Sequence, residues 1–258
     1  MTRIGVRFEA LERAKQKAFV AFVTAGDPSA ERTVEVALEL EKGGADVLEL
    51  GVPFSDPLAD GPVIQRSSER ALKAGVTLAG VLGIARKIRA KSELPLLLFT
   101  YLNPIHRYGA EALARDAKQA GIDGVLVTDL PPEEAAGWLA AARANDLDTV
   151  FLVAPTSPDE RIRKIAEASR GFVYAVSRTG ITGEKQSVSD EARPLVERVQ
   201  AATKVPVALG FGISTPEQVK DAAAVADGIV VGSALVRFLE EEPAGDVAGK
   251  VRWLKSAL

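Results

Sequence analysis

The chain contains no cysteine and only one histidine, His106. Without cysteine it can form neither disulfides nor thiolate nucleophiles, and cysteine-ligated metals are excluded as well. A single histidine is too few for a histidine metal cage, so we expect no bound metal. Any catalysis is therefore expected to come from carboxylates, hydroxyls, lysines or backbone amides.

The chain also lacks an excess of either charge and any apolar run of membrane length. Its 32 basic residues nearly balance 35 acidic ones, which argues against a nucleic-acid or membrane-surface protein. The first residues carry Arg3, Arg7 and Arg13 and no apolar signal core. These features predict a soluble cytoplasmic protein.

Short apolar runs recur along the whole chain, separated by segments with helical periodicity. The runs are nearly continuous in hydrophobicity and rich in β-branched residues, which is typical of parallel strands covered on both faces. The eight runs are Phe19–Thr24, Val47–Leu50, Leu96–Thr100, Gly124–Thr128, Thr149–Ala154, Phe172–Val176, Val205–Leu209 and Gly228–Val231.

Eight strand-helix units in 258 residues favour an α/β fold, namely a (β/α)8 TIM barrel. We expect residues 1–258 to form this barrel as a single domain. We expect an extra N-terminal helix and long loops after the second and sixth strands, Gly51–Pro62 and Ser177–Asp190. An open doubly wound sheet is the alternative. It is disfavoured because Ala25-Gly26-Asp27-Pro28, not a Gly-x-Gly-x-x-Gly motif, follows the first strand.

A weak internal repeat and two helix signals support stacked αβ units. A small residue and an Asp stand just before three of the strands, with the Asp at positions 46, 123 and 227. Thr215 and Gln218 have the spacing of a capping box. The tail from Pro243 predicts a last helix, and we expect Trp253 and Leu254 on its apolar side.

Glu49 stands inside the second apolar run, where an unpaired carboxylate is costly to bury. It has the same strand parity as Val47, so both side chains point to one side of the sheet. If that side is the barrel interior, desolvation moves the proton affinity of Glu49 towards neutral pH and suits it to acid/base chemistry. The alternative is a core acid paired with an Arg or Lys.

A second carboxylate, Asp60, ends a loop stiffened by Pro53, Pro57 and Pro62. A loop with fixed backbone angles can hold a side chain in place. Asp60 is the second candidate catalytic residue, and a turn or helix-capping role is the alternative for it. Asp56 carries the same ambiguity.

Glycines at the ends of the last two strands indicate a phosphate site. Gly212 follows the seventh run, and Gly232 and Ser233 follow the eighth at the start of a helix. In barrels these adjacent loops bind phosphate through backbone N–H groups and the helix dipole. Thr182 and Gly183, after the sixth run, could also reach a ligand oxygen. The alternatives are tight turns and a surface loop.

The remaining candidates each allow an ordinary structural role. Tyr174 places a hydroxyl inside a strand, where a packed tyrosine is equally plausible. Phe22 could line a pocket or belong to the core. Asp129 follows the fourth strand and could cap a helix, and His106 is expected to lie on a surface loop.

Residues Glu49–Gln65 resemble the signature of the tryptophan synthase α subunit family. The resemblance extends over essentially the whole chain. It includes Phe22–Pro28, Tyr101–Pro104, Ser177–Gly183, Gly210–Ile213 and Gly232–Ala234, the last two being shared with other phosphate-binding barrels.

This resemblance implies cofactor-free retro-aldol cleavage of indole-3-glycerol phosphate to indole and glyceraldehyde 3-phosphate. Glu49 would transfer protons at indole C3 and at the hydroxyl of the substrate's glycerol side chain. Asp60 would bind the indole N–H. The resemblance assigns the substrate-binding roles to Tyr174, Phe22, Tyr101, Thr182, Gly183, Gly212, Gly232 and Ser233.

The family resemblance also implies a partner, a pyridoxal-phosphate-dependent tryptophan synthase β subunit, in an α2β2 tetramer. The matching contact regions are Pro53–Asp56 and the loop from Asn103. Alternatives are a free-standing indole-3-glycerol phosphate lyase, a phosphosugar isomerase of histidine biosynthesis, and a regulatory subunit that only binds a phosphorylated ligand.

Overall fold

Parallel strands form one sheet in the computed structural model, which describes residues 2–176, 192–210 and 212–258. The strands are β1 (Ala18–Thr24), β2 (Val47–Gly51), β3 (Leu96–Thr100), β4 (Gly124–Val127), β5 (Asp148–Val150), β6 (Leu152–Val153), β7 (Val173–Val176), β8 (Val207–Gly210) and β9 (Gly228–Val231). Their order in the sheet is β5-β4-β3-β2-β1-β9-β8-β7-β6.

Helices connect and surround these strands in the described ranges. They are α1 (Arg3–Arg13), α2 (Ala30–Gly43), α3 (Pro62–Lys73), α4 (Leu78–Arg89), α5 (Leu102–Tyr108), α6 (Ala110–Gln119), α7 (Ala136–Ala144), α8 (Asp159–Ala168), α9 (Ala192–Ala202), α10 (Pro216–Ala223), α11 (Ser233–Glu241) and α12 (Val247–Leu254). Across these ranges we find no helix with the length and apolar character that a membrane span needs.

The sheet closes into the predicted (β/α)8 barrel through one interrupted strand. β5 pairs with β4, and β6 pairs with β7. Only Phe151 separates β5 from β6, so the two short segments act together as the fifth barrel strand. The two ends of the sheet therefore meet, which excludes the open-sheet alternative.

Helix α1 covers the N-terminal end of the barrel, as expected for an extra N-terminal helix. Its apolar residues Ile4, Phe8 and Leu11 are buried in one cluster with inward-facing strand residues. The rings of Phe8 and Phe172 are 5.6 Å apart. A buried cluster of this kind stabilises the barrel and leaves its opposite, carboxyl end for ligands.

The repeated Asp before the strands has a structural role. In each case its carboxylate accepts a hydrogen bond from the backbone N–H near the start of a neighbouring strand, which helps to fix the register of the barrel. The bonds run from Phe19 N to Asp46 Oδ2 (2.7 Å), from Leu96 N to Asp123 Oδ2 (2.9 Å) and from Val207 N to Asp227 Oδ2 (2.9 Å).

Local helix signals were mostly correct, with two exceptions. The capping box of Thr215 and Gln218 is present at the start of α10. The segment from Asn103 is not a loop but part of helix α5. Trp253 is 46% exposed, whereas its neighbour Leu254 is fully buried. Placing Trp253 on the apolar side was wrong, because its ring packs under the Lys250 ammonium group, 4.0 Å from the ring centre.

Candidate active site

Glu49 points into the carboxyl end of the barrel. Its register partners are Phe22 on β1 and Leu97 on β3, and Leu97 belongs to the interior cluster. The residue is 1% exposed, and neither carboxylate oxygen has a hydrogen-bond partner in the described part of the chain. The alternative of a core acid paired with a cation is therefore not supported.

Burial raises the pKa of Glu49 from 4.5 to about 8. The cause is desolvation, which penalises the charged form of an acid in apolar surroundings. A carboxyl group with this pKa is mostly protonated at neutral pH and can both give and take a proton.

Asp60 lies at the end of the loop that joins β2 to α3. It is 7% exposed, and its Oδ2 accepts a hydrogen bond of 3.1 Å from the hydroxyl of Tyr101. Burial raises the pKa of Asp60 to about 6, although the Tyr101 bond acts in the opposite direction. Asp60 is thus mostly ionised at the pH at which Glu49 is mostly protonated, a separation typical of acid/base sites.

The resemblance implies that Tyr101 is part of the pocket wall, but Tyr101 is not among the described residues that line the pocket of Glu49 and instead binds Asp60. Its hydroxyl donates to Asp60 and accepts from the backbone N–H of Ala59, with an N–O distance of 3.2 Å. Its ring stacks on Phe54 with the centres 5.0 Å apart. Tyr101 therefore ties both ends of the loop to the start of α5.

Glu49 and Asp60 share a pocket of about 420 Å³. One of its sides is apolar, and there the rings of Phe22 and Phe99 meet edge to face with centres 5.3 Å apart. The described residues that line the pocket are Phe22, Glu49, Asp60, Ile64, Phe99, Tyr174, Gly212, Val230, Gly232 and Ser233.

Tyr174 on β7 also faces this pocket. Burial raises the pKa of its hydroxyl well above the ordinary value, and the negative charges of Glu49 and Asp60 act in the same direction. The ring lies directly over Gly210, where an added Cβ would be 2.7 Å from Tyr174 Cζ. The strand that carries Gly210 must therefore lack a side chain at this point.

The glycines predicted to bind phosphate lie at one end of the pocket. Gly212 has a φ of +87°, which favours glycine, and Gly232 immediately precedes α11. The first N–H groups of a helix have no partner within the helix, and with the dipole they attract anions. Ser233 is the first residue of α11. Thr182 and Gly183, the other two predicted ligand residues, lie outside the described residues.

Two further candidates, Asp129 and His106, are not among the described residues that line this pocket. Asp129 Oδ1 accepts a bond of 2.7 Å from Leu102 N and so caps the start of α5. His106 is exposed on the same helix. Sequence reasoning missed Ile64, Phe99 and Val230 as lining residues. Phe99 and Val230 had a signal in strand parity, because Phe99 has the parity of Leu97 and Val230 that of the predicted site residue Gly232.

Comparisons with known proteins agree with this geometry. A family model described as Tryptophan synthase alpha chain matches residues 8–256. The tryptophan synthase alpha chain of Solibacter usitatus is 58% identical over 93% of this chain and 90% of its own length. That of Geobacter sulfurreducens is 50% identical over 100% of this chain and 98% of its own.

Solved structures give the same result. A Mycobacterium tuberculosis tryptophan synthase structure superposes with a TM-score of 0.93 and 39% identity, covering 99% of this chain and 98% of the other. Tryptophan synthase subunit alpha from Legionella pneumophila superposes with a TM-score of 0.90 and 38% identity, over 100% and 97% of the two chains. The chain therefore belongs to the tryptophan synthase alpha chain family.

Proposed function

We propose that this protein is the lyase component of tryptophan synthase, cleaving indole-3-glycerol phosphate to indole and glyceraldehyde 3-phosphate. The observation that carries the proposal is the buried, unpaired carboxyl group of Glu49, facing a pocket that ends at the N-terminus of α11. The reaction needs proton transfers at one end of the substrate and anion binding at the other. The pocket offers groups for both.

Glu49 would act first as an acid and then as a base. Its protonated carboxyl group donates to C3 of the indole, which makes the ring cationic. The resulting Glu49 carboxylate then accepts the proton of the substrate hydroxyl on the carbon attached to indole C3. The oxygen then forms the aldehyde C=O, and the electrons of the broken C–C bond return to the ring. Glu49 ends protonated, as it began, so the protons balance.

Asp60 would bind the indole N–H and stabilise the positive charge that develops on the ring. An ionised carboxylate in a desolvated pocket acts strongly on such a charge. Its pKa of about 6 keeps it ionised at neutral pH. Phe22 would lie against the indole, and Tyr174 would line the site close to Glu49.

The phosphate group would be bound by Gly212, Gly232 and Ser233, together with Thr182 and Gly183. The glycines allow the backbone to approach the phosphate oxygens closely. Ser233 adds the free N–H groups and the dipole of the first turn of α11.

The chain would pair with a pyridoxal-phosphate-dependent β subunit, in an α2β2 tetramer. A groove of about 980 Å³ supports this, since it lies between the β2–α3 loop and α5, the two predicted contact regions. Phe54, Asn103 and Arg107 are among its lining residues. Leu58, on the same loop, is 89% exposed and would be accessible to that partner.

We also propose that residues 1–258 act as one catalytic domain in the cytoplasm, where proteins rarely carry disulfides.

The test of the proposed function is direct. The purified chain is mixed with indole-3-glycerol phosphate, and indole release is measured with and without the β subunit. We expect slow release alone and faster release with the partner. Absence of indole under both conditions would refute the proposed function.

A further inference from the structure

Helices α3 and α11 together build one side of the pocket. A small apolar cluster joins them near the site and contains Phe22 from β1, Val63 and Ile64 from α3, and Val236 from α11. Both helices start at the site itself. Asp60 precedes α3 by two residues, and α11 begins at Ser233. The distance between these helices therefore affects the distance between Asp60 and Ser233, at the two ends of the pocket.

An ion-pair network joins the same helices through residues that do not line the pocket. Arg70 of α3 donates two bonds to Asp27, of 2.8 and 2.7 Å, and a third of 2.8 Å to Glu240 of α11. Asp27 belongs to the loop after β1 and its side chain is only 9% exposed. One guanidinium group therefore joins three elements that surround the pocket.

Arg70 has the geometry for fixing a distance rather than for adding surface charge. A planar guanidinium that binds a carboxylate through two bonds has little freedom to move. Arg66 also binds Glu240, through bonds of 3.2 and 3.0 Å, but within the described residues it forms no ion pair with Asp27, and its side chain is half exposed. Arg66 thus offers a matched comparison on the same helix.

We propose that Arg70 is a positioning residue that holds the acid end and the phosphate end of the pocket at the spacing of the intact substrate. This inference rests on the proposed function. Its consequence is specific: a change at Arg70 weakens binding of a molecule that spans both ends more than binding of either half. Each half contacts one end only and does not depend on the spacing.

The test compares three ligands in the Glu49→Gln background, which should not turn over the substrate. Binding of indole-3-glycerol phosphate, indole and glyceraldehyde 3-phosphate is measured by calorimetry with and without Arg70→Gln. We expect the affinity for indole-3-glycerol phosphate to fall about tenfold, and that for each product to change less than about twofold. Arg66→Gln should change all three by less than about twofold.

A purely structural role of Arg70 would give a different result. Equal losses for all three ligands, or no loss for any, would overturn the proposal. If Arg70→Gln does not fold, the same three affinities are measured with Arg70→Lys, which keeps the charge but not the paired bonds to Asp27. We then expect a smaller loss of affinity for indole-3-glycerol phosphate and again little change for the two products. Failure of the proposed function is distinguishable, because the unmodified chain would then release no indole.

Discussion

The ring of Tyr174 occupies the space that a side chain at position 210 would need. A Cβ built on Gly210 would be 2.7 Å from Tyr174 Cζ and 2.8 Å from Cε1. Tyr174 and Gly210 lie on neighbouring parallel strands, β7 and β8, so neither backbone can retreat without breaking the ladder between them. The position of the Tyr174 hydroxyl in the pocket therefore depends on a glycine.

We predict that Gly210→Ala lowers kcat/KM for indole release about 10- to 100-fold, because Tyr174 must move into the pocket. Overpacking should also lower the free energy of unfolding by about 1–3 kcal/mol. Gly137→Ala is the control, since Gly137 is exposed on α7 and a Cβ there meets no atom within 4 Å among the described residues. If the two variants have equal activity, Tyr174 is not held as described.

Glu49→Gln should lower kcat at least about a thousandfold, because the amide can neither donate the C3 proton nor accept the hydroxyl proton. Gln is close to Glu in size, so KM should change less than about threefold. Steady-state kinetics and a circular dichroism spectrum check both points. Retained turnover, or loss of the fold in this variant, would contradict the assigned role.

The stability of the protein should fall as pH rises between about 5 and 8. The pKa of Glu49 is about 8 in the folded state and near 4.5 in the unfolded chain. In that window the folded state holds one more proton, so the free energy of unfolding loses about 1.4 kcal/mol per pH unit from this group. When the free energy of unfolding is measured with urea at several pH values, it should fall less steeply with pH in Glu49→Gln. Parallel slopes for the two proteins would mean that Glu49 is not desolvated.

The activity should show a bell-shaped dependence of kcat/KM on pH, with limbs near 6 and 8 from Asp60 and Glu49. Asp60 must be ionised and Glu49 protonated. Tyr101→Phe removes a hydrogen bond that favours the ionised form of Asp60, so the acidic limb should move to higher pH. Tyr108→Phe, which removes a hydroxyl bound to Asp116 instead, should leave that limb in place. An unmoved limb in Tyr101→Phe would show that Tyr101 does not act on Asp60.

Much of the fold followed from local patterns. Periodicity located the strands and helices, and strand parity placed Glu49 and Val47 on one side of the sheet, although only the structure shows that this side is the barrel interior. The break of the fifth strand at Phe151 could not be predicted, because it depends on which neighbour each half pairs with. The prediction for Trp253 was wrong because apolar character alone does not show that Lys250, three residues earlier, can cover its indole ring.

The sequence by itself determined which strand residues share a face and where the backbone must be stiff or free, since these depend on neighbours a few positions away. Tertiary structure decided which of those faces meet. The bond between Tyr101 and Asp60 joins residues 41 positions apart, and Arg70 reaches Glu240 across 170 positions. Such contacts depend on the closure of the barrel, which is fixed by the packing of the whole chain and by no local pattern.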